Sequence, residues 1–116
     1  MVSVDSNPTD AAASSADMLR DELGVAIGHL GRSDSSAKRA RLPVTFTNKT
    51  GVTAEFTVAV AAFGHGGHQI DSDTVHVVLA ARCSEEQDMF TVSPLALLTD
   101  ASFRVIAARK FSRWHG

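Results

Sequence analysis

Leu42-Pro43-Val44-Thr45-Phe46-Thr47, Glu55-Phe56-Thr57-Val58-Ala59-Val60-Ala61-Ala62 and Val75-His76-Val77-Val78-Leu79-Ala80-Ala81-Arg82 are the runs on which the fold turns. In the first, Leu42, Val44 and Phe46 alternate with Pro43, Thr45 and Thr47. In the second, Phe56, Val58, Val60 and Ala62 alternate with Glu55, Thr57 and Ala59. In the third, Val75, Val77, Leu79 and Ala81 alternate with His76, Val78 and Arg82. A half-buried strand needs this period of two, because successive side chains point to opposite faces of a sheet. Between the first two runs, Asn48-Lys49-Thr50-Gly51 supplies the Asn and Gly that hairpin turns favour. The pattern predicts an antiparallel meander across residues 42–82.

Working outward, the flanks read as helices. Ser14 or Ser15 caps a first one, and Asp17, Asp21 and Glu22 lie in its opening turns, where the helix dipole favours negative charge. Leu19, Leu23, Ala26, Ile27 and Leu30 fall on one stripe at helical spacing, and Gly31 stops the element. Gly24 and Gly28 share a face of this expected helix, so they are candidate interface positions where another backbone comes close. Arg32 to Arg41 is a linker ending in Lys38-Arg39-Ala40-Arg41. Gly64-His65-Gly66-Gly67-His68 opens a loop of about ten residues.

After the third run, Ser84 to Asp88 reads as an acidic turn and Met89 to Val92 as a short fourth strand. Ser93-Pro94 then suits a helix start. Beyond it, Leu95, Leu98, Ala101 and Val105 keep helical spacing. The alternative is a strand from Ser102 to Ala108, with Phe103, Val105 and Ala107 alternating with Arg104, Ile106 and Ala108. Alanine content favours the helix. The expected fold class is therefore α+β: a small antiparallel sheet of three to four strands, flanked by an N-terminal and a C-terminal helix. Residues 1–15, small and polar, read as a flexible tail, and 16–116 as a single domain. This element order is similar to that of double-stranded-RNA-binding domains and of the Alu-binding proteins of the signal recognition particle. The lysine-rich start to the second helix that the former use on phosphates is absent here.

Composition narrows the function classes. The chain has 116 residues, 44% hydrophobic and 21% charged, with a formal net charge of -2. These are ordinary values for a globular chain, and the charge disfavours a protein living mainly on phosphate contacts. Cys83 has no second cysteine to bond, so a reducing, cytoplasmic compartment is expected. No apolar run approaches the roughly 18 residues that span a bilayer, and the N-terminus lacks the pattern of a signal peptide, so no membrane partner is expected.

Candidate chemistry is thin. His65 and His68 are weak metal candidates, with His76, Asp71 and Asp73 nearby in sequence, but no spacing fixes a ligand geometry; no cofactor or metal is expected. There is no Gly-x-Ser-x-Gly elbow and no phosphate-binding glycine loop, so no catalytic residue is assigned and an enzyme is not expected. Lys38, Arg39, Arg41 and Lys49, with Arg104, Arg109, Lys110 and Arg113, would bind nucleic acid if the fold brought them to one positive face. The leading expectation is a small non-catalytic protein-interaction or assembly module, a self-associating or complex-forming subunit. The alternative is RNA binding through those two basic clusters.

Overall fold

Strand pairing organises the chain from nearly one end to the other. The computed structural model describes residues 17–33 and 38–111. Helical residues 17–21 (α1) are followed by β1 (Leu23–Ile27), β2 (Gly31–Arg32), β3 (Ala40–Asn48) and β4 (Ala54–Phe63). A 3₁₀ turn (His65–Gly67), β5 (Gln69–Leu79), β6 (Ser84–Met89), α2 (Leu95–Leu98) and β7 (Ser102–Phe111) complete the order. The expected residue 1–15 tail lies outside the described residues.

The strands form two antiparallel sheets. In the first, β3 is central: β1 pairs along one edge, from Leu23↔Asn48 to Ile27↔Val44, and β6 along the other, from Leu42↔Met89 to Thr47↔Ser84. The two-residue β2 pairs with the start of β3. In the second, β4 is central between β5 and β7. Inward side chains of both sheets merge into one buried cluster: Leu42, Val44, Phe46, Met89 and Leu23 from the first, and Phe56, Val58, Val60, Val77 and Leu79 from the second. The architecture is a two-layer, mainly β sandwich.

This overturns the α+β expectation in four places. The N-terminal helix stops at residue 21. Leu23 to Ile27 pairs with β3 instead, because Val25 and Ile27 suit a pleated surface while Gly24 and Gly28 weaken a helix. The C-terminal helix is only four residues long, and Ser102–Phe111 is the alternative strand. Its pairing supplies hydrogen bonds to the second edge of β4, which a helix would have left open. The acidic segment 84–88 is not a turn but edge strand β6, whose charges sit at the exposed margin of the sheet, while residues 90–93 turn. Finally, β3 and β4 do not form a hairpin. Residues 49–53 carry the chain from one sheet to the other, and the consecutive strands that pair are β2 with β3 and β4 with β5.

Asn48 explains that crossing. Its side chain is fully buried at the end of β3. Its Nδ2 donates to the carbonyls of Val52 (2.8 Å), Leu79 (3.0 Å) and Ala80 (3.2 Å), and its Oδ1 accepts from Thr50 N (2.9 Å) and Thr50 Oγ1 (2.7 Å). One amide therefore holds two inter-sheet connections, 49–53 and 80–83, against each other. An Asn whose oxygen takes the amide two residues on is an Asx turn, which competes with a two-strand hairpin.

Near its start, β5 is tied to the turn that follows β6. Asp73 Oδ2 accepts from Phe90 N (2.8 Å), and Asp71 Oδ2 accepts from Ser93 Oγ (2.6 Å). Phe90 has φ 62°, an uncommon conformation for a bulky residue. The Asp73 bond and burial of the Phe90 ring, packed edge-on to Phe103 at 5.4 Å, hold it there.

Candidate functional site: the outer face of the second sheet

The outward side chains of the β5–β4–β7 sheet form rows that run across the strands. Val78, Glu55 and Phe111 share one row, His76, Thr57 and Arg109 the next, and Thr74, Ala59 and Ala107 a third. Register slips between Ala59 and Val60, where Ile106 is the extra residue on β7. A bulge of this kind bends the strand and re-aims a side chain, and Ile106 is 46% exposed. Val78 (45%) and Phe111 (36%) are exposed on the same sheet. The small Ala59–Ala107 row thus lies as a shallow trough beside bulkier neighbours.

Polar and aromatic groups flank it. His76 Nε2 donates to Glu55 Oε2 at 2.5 Å, and with that tautomer Nδ1 accepts from Thr57 Oγ1 at 2.9 Å. The imidazole also lies 6.0 Å from the Phe111 ring. Arg104 Cζ sits 4.0 Å above the Phe63 ring and Arg109 Cζ 5.2 Å from the Phe111 ring, both cation–π distances. No salt bridge is made by either arginine among the described residues.

Hydroxyl, imidazole and carboxylate in series resemble a nucleophile, its base and an orienting acid. Here all three stand on an open sheet face, with His76 half exposed, and no cleft excludes water from them. The arrangement does the work of a cross-strand polar ladder, joining β4 to β5.

The cations singled out in the sequence are distributed over both sides of the sandwich. Arg41 points outward from the first sheet, where its Nε is 3.0 Å from Asp88 Oδ2. Arg39 Nη1 donates to the carbonyl of Val92 (2.7 Å), and Lys38 lines a shallow open groove with Pro94, Leu95, Ala96 and Thr99. Lys49 Nζ donates to the Arg20 carbonyl (3.0 Å), while Lys110 Nζ pairs with Glu22 Oε1 (2.6 Å), bracing β7 against the end of α1. Arg104 and Arg109 are on the outer face of the second sheet, opposite Arg41. Arg113 lies outside the described residues. Among the described residues, the two basic clusters are not gathered onto one face.

Gly24 and Gly28 sit in and just after β1, not on a helix. A Cβ on Gly28 would come within 2.9 Å of the Pro43 carbonyl oxygen, so the close backbone approach expected of it is made within the chain. Gly28 N donates to that same carbonyl at 2.8 Å. His65 and His68 are exposed at the tight turn between β4 and β5, which is shorter than expected because β5 starts at Gln69. Among the described residues, no group of three or more His, Cys, Asp or Glu side chains converges to hold a metal ion. Cys83 is a free, exposed thiol. No helix among the described residues is long and apolar enough to cross a membrane.

Sequence reasoning missed this surface because it assigned β7 to a helix. The signal was present in the alternation of Phe103 and Val105 with Arg104 and Ile106. No protein-family profile, curated protein or solved structure matches the chain.

Proposed function

We propose that the chain is a small, non-catalytic protein-interaction module that docks partners on the outer face of its β5–β4–β7 sheet. One observation carries this reading: Val78, Ile106 and Phe111 are exposed on the outer face of one sheet, whereas Phe56, Val58 and Val60 on the inner face of its central strand are buried in the core. Several large apolar side chains left exposed on one sheet face favour a contact surface there. His76, already bonded to Glu55 and Thr57 within the sheet, loses little when water leaves it. The lone free thiol fits service in a reducing interior such as the cytoplasm.

Site-directed photo-crosslinking tests this reading. A photoreactive phenylalanine at Ile106, and separately at Phe111, is expected to give protein adducts in cells of the source organism, while one at Thr45 on the opposite face gives none. An adduct of twice the chain mass identifies a second copy as the partner. Equal labelling from both faces, or none from either, refutes the assignment.

A further inference from the structure

Resting on the interaction reading above, we infer that the partner presents an acidic amphipathic helix, which lies on the outer face of the β5–β4–β7 sheet. The charge of that face selects the acid. Arg104 and Arg109 have the Phe63 and Phe111 rings beneath them, at 4.0 Å and 5.2 Å from guanidinium carbon to ring centre. Stacking holds a guanidinium flat and leaves its edge N–H groups in the fork that grips a carboxylate. Neither arginine makes a salt bridge among the described residues, whereas Lys110 is spent on Glu22. Glu55, the acid of this face among the described residues, is held by His76 at 2.5 Å. Two arginines are few for a phosphate backbone on a chain of net charge -2. With Val78, Ile106 and Phe111 exposed beside them, they suit carboxylates set among apolar side chains. A second copy docking by the same face would bring arginines toward arginines.

The direction of the backbone groups selects the helix. Main-chain N–H and C=O groups of a strand lie in the plane of its sheet, toward neighbouring strands. Those of β4 serve its ladders with β5 and β7. A segment lying on the face therefore receives no ladder bonds, and an extended one would lose water from its amides without replacement. A helix bonds its amides internally. The dimensions agree: the outer two of three strands lie about 10 Å apart, close to the diameter of a helix. Arg104 and Arg109 are five residues apart in β7, about 15 Å along the strand, which matches about ten residues of helix, or three turns. Acids at the two ends of an apolar stripe of that length would meet both arginines, with Ile106 under the stripe.

The test is a phage library of random peptides of about 15 residues, panned against the whole chain. The expected pool combines Asp or Glu with apolar residues at helical spacing. A synthetic peptide of the enriched sequence should gain helical circular dichroism on mixing and weaken with added salt. It should shift the methyl resonances of Val78 and Ile106 but not that of Val92, which is exposed on the 90–93 turn. Arg104→Glu with Arg109→Glu should lower its affinity about tenfold or more, while Arg32→Glu, on β2, leaves it within about twofold. Thermal unfolding checks that the double variant is folded, and Arg104→Gln with Arg109→Gln replaces it if it is not. Binders that are neutral or basic, that gain no helix, or that leave the Val78 and Ile106 methyls unmoved overturn this inference while leaving a docking module intact. A library yielding no binder overturns it as well, and together with no crosslinks from Ile106 or Phe111 overturns both. A mixed-sequence RNA oligonucleotide that shifts the same methyls and binds more tightly than any peptide also overturns both.

Discussion

Replacing Asn48 by alanine removes one side chain and five hydrogen bonds at once. The amide is fully buried, and it feeds three carbonyls, those of Val52, Leu79 and Ala80, while its oxygen takes both donors of Thr50. A typical internal hydrogen bond contributes about 1 kcal/mol net, and a buried group left without its partner costs about 1–3 kcal/mol. The Leu79 bond is buried, whereas the others lie at the margin where water can substitute in part. The sum expected for Asn48→Ala is therefore about 2–4 kcal/mol, a large share of the 5–15 kcal/mol typical of a domain. For a chain of this size that lowers the melting temperature by about 10–20 °C. Urea unfolding followed by circular dichroism measures it, with an unchanged m-value required so that the loss is assigned to the folded state.

Asn48→Asp sharpens the test, because it keeps the shape and reverses the donors. At neutral pH a carboxylate would face three carbonyl oxygens, so burial and those dipoles push the new carboxyl's folded pKa above its unfolded value. The sign follows from linkage. The protonated form is the one the fold tolerates, so the aspartate variant is least impaired below the unfolded pKa of about 4 and loses stability as pH rises toward its folded value. Stability falling from pH 4 to 7 relative to Asn48→Ala is the expected result. A loss below about 1 kcal/mol for Asn48→Ala, with Asn48→Asp insensitive to pH, would show that the amide does not hold the crossings together.

Val58→Asp places an unpaired carboxylate at a fully buried position of the central strand β4 and is expected to cost more than about 4 kcal/mol, read as loss of soluble folded protein or of cooperative melting. Gly28→Ala should destabilise by about 1–2 kcal/mol, since its Cβ meets the Pro43 carbonyl at 2.9 Å, whereas Gly31→Ala, with nothing within 4 Å, should stay within about 0.5 kcal/mol of wild type; paired thermal melts decide. His65→Ala combined with His68→Ala should change stability by less than about 0.5 kcal/mol, both side chains being exposed, and a larger loss would indicate unrecognised contacts.

Period-two alternation made β3, β4 and the later half of β5 readable, because strands with one face in the core must alternate. It did not reveal which strands share a sheet. Asn48 and Gly51 look like a hairpin turn from sequence, yet the Asn48 side chain spends its hydrogen bonds on a crossing. Residues 23–30 and 102–111 misled for one reason. Leu23, Ile27 and Leu30 satisfy helical spacing, Phe103 and Val105 satisfy both periods, and long-range pairing with β3 and β4 decided between them. β6 escaped notice because its charges mask the alternation: Glu86 and Asp88 face outward, and Glu85 shares the face of Gln87 and Met89. The candidate surface could not be read at all until β7 was a strand, since only then do Arg104, Ile106 and Arg109 lie beside Val78 and His76.

The interleaving of the two layers has a consequence for how the chain reaches its shape. Each sheet is assembled from segments separated by parts of the other: 23–48 must wait for 84–89, and 54–79 for 102–111. Any truncation before residue 84 strips a flanking strand from both layers, and no contiguous half contains a complete sheet. Folding of this chain is therefore expected in the millisecond-to-second range common to all-β topologies with distant pairings, with a nascent polypeptide gaining little until β7 has emerged.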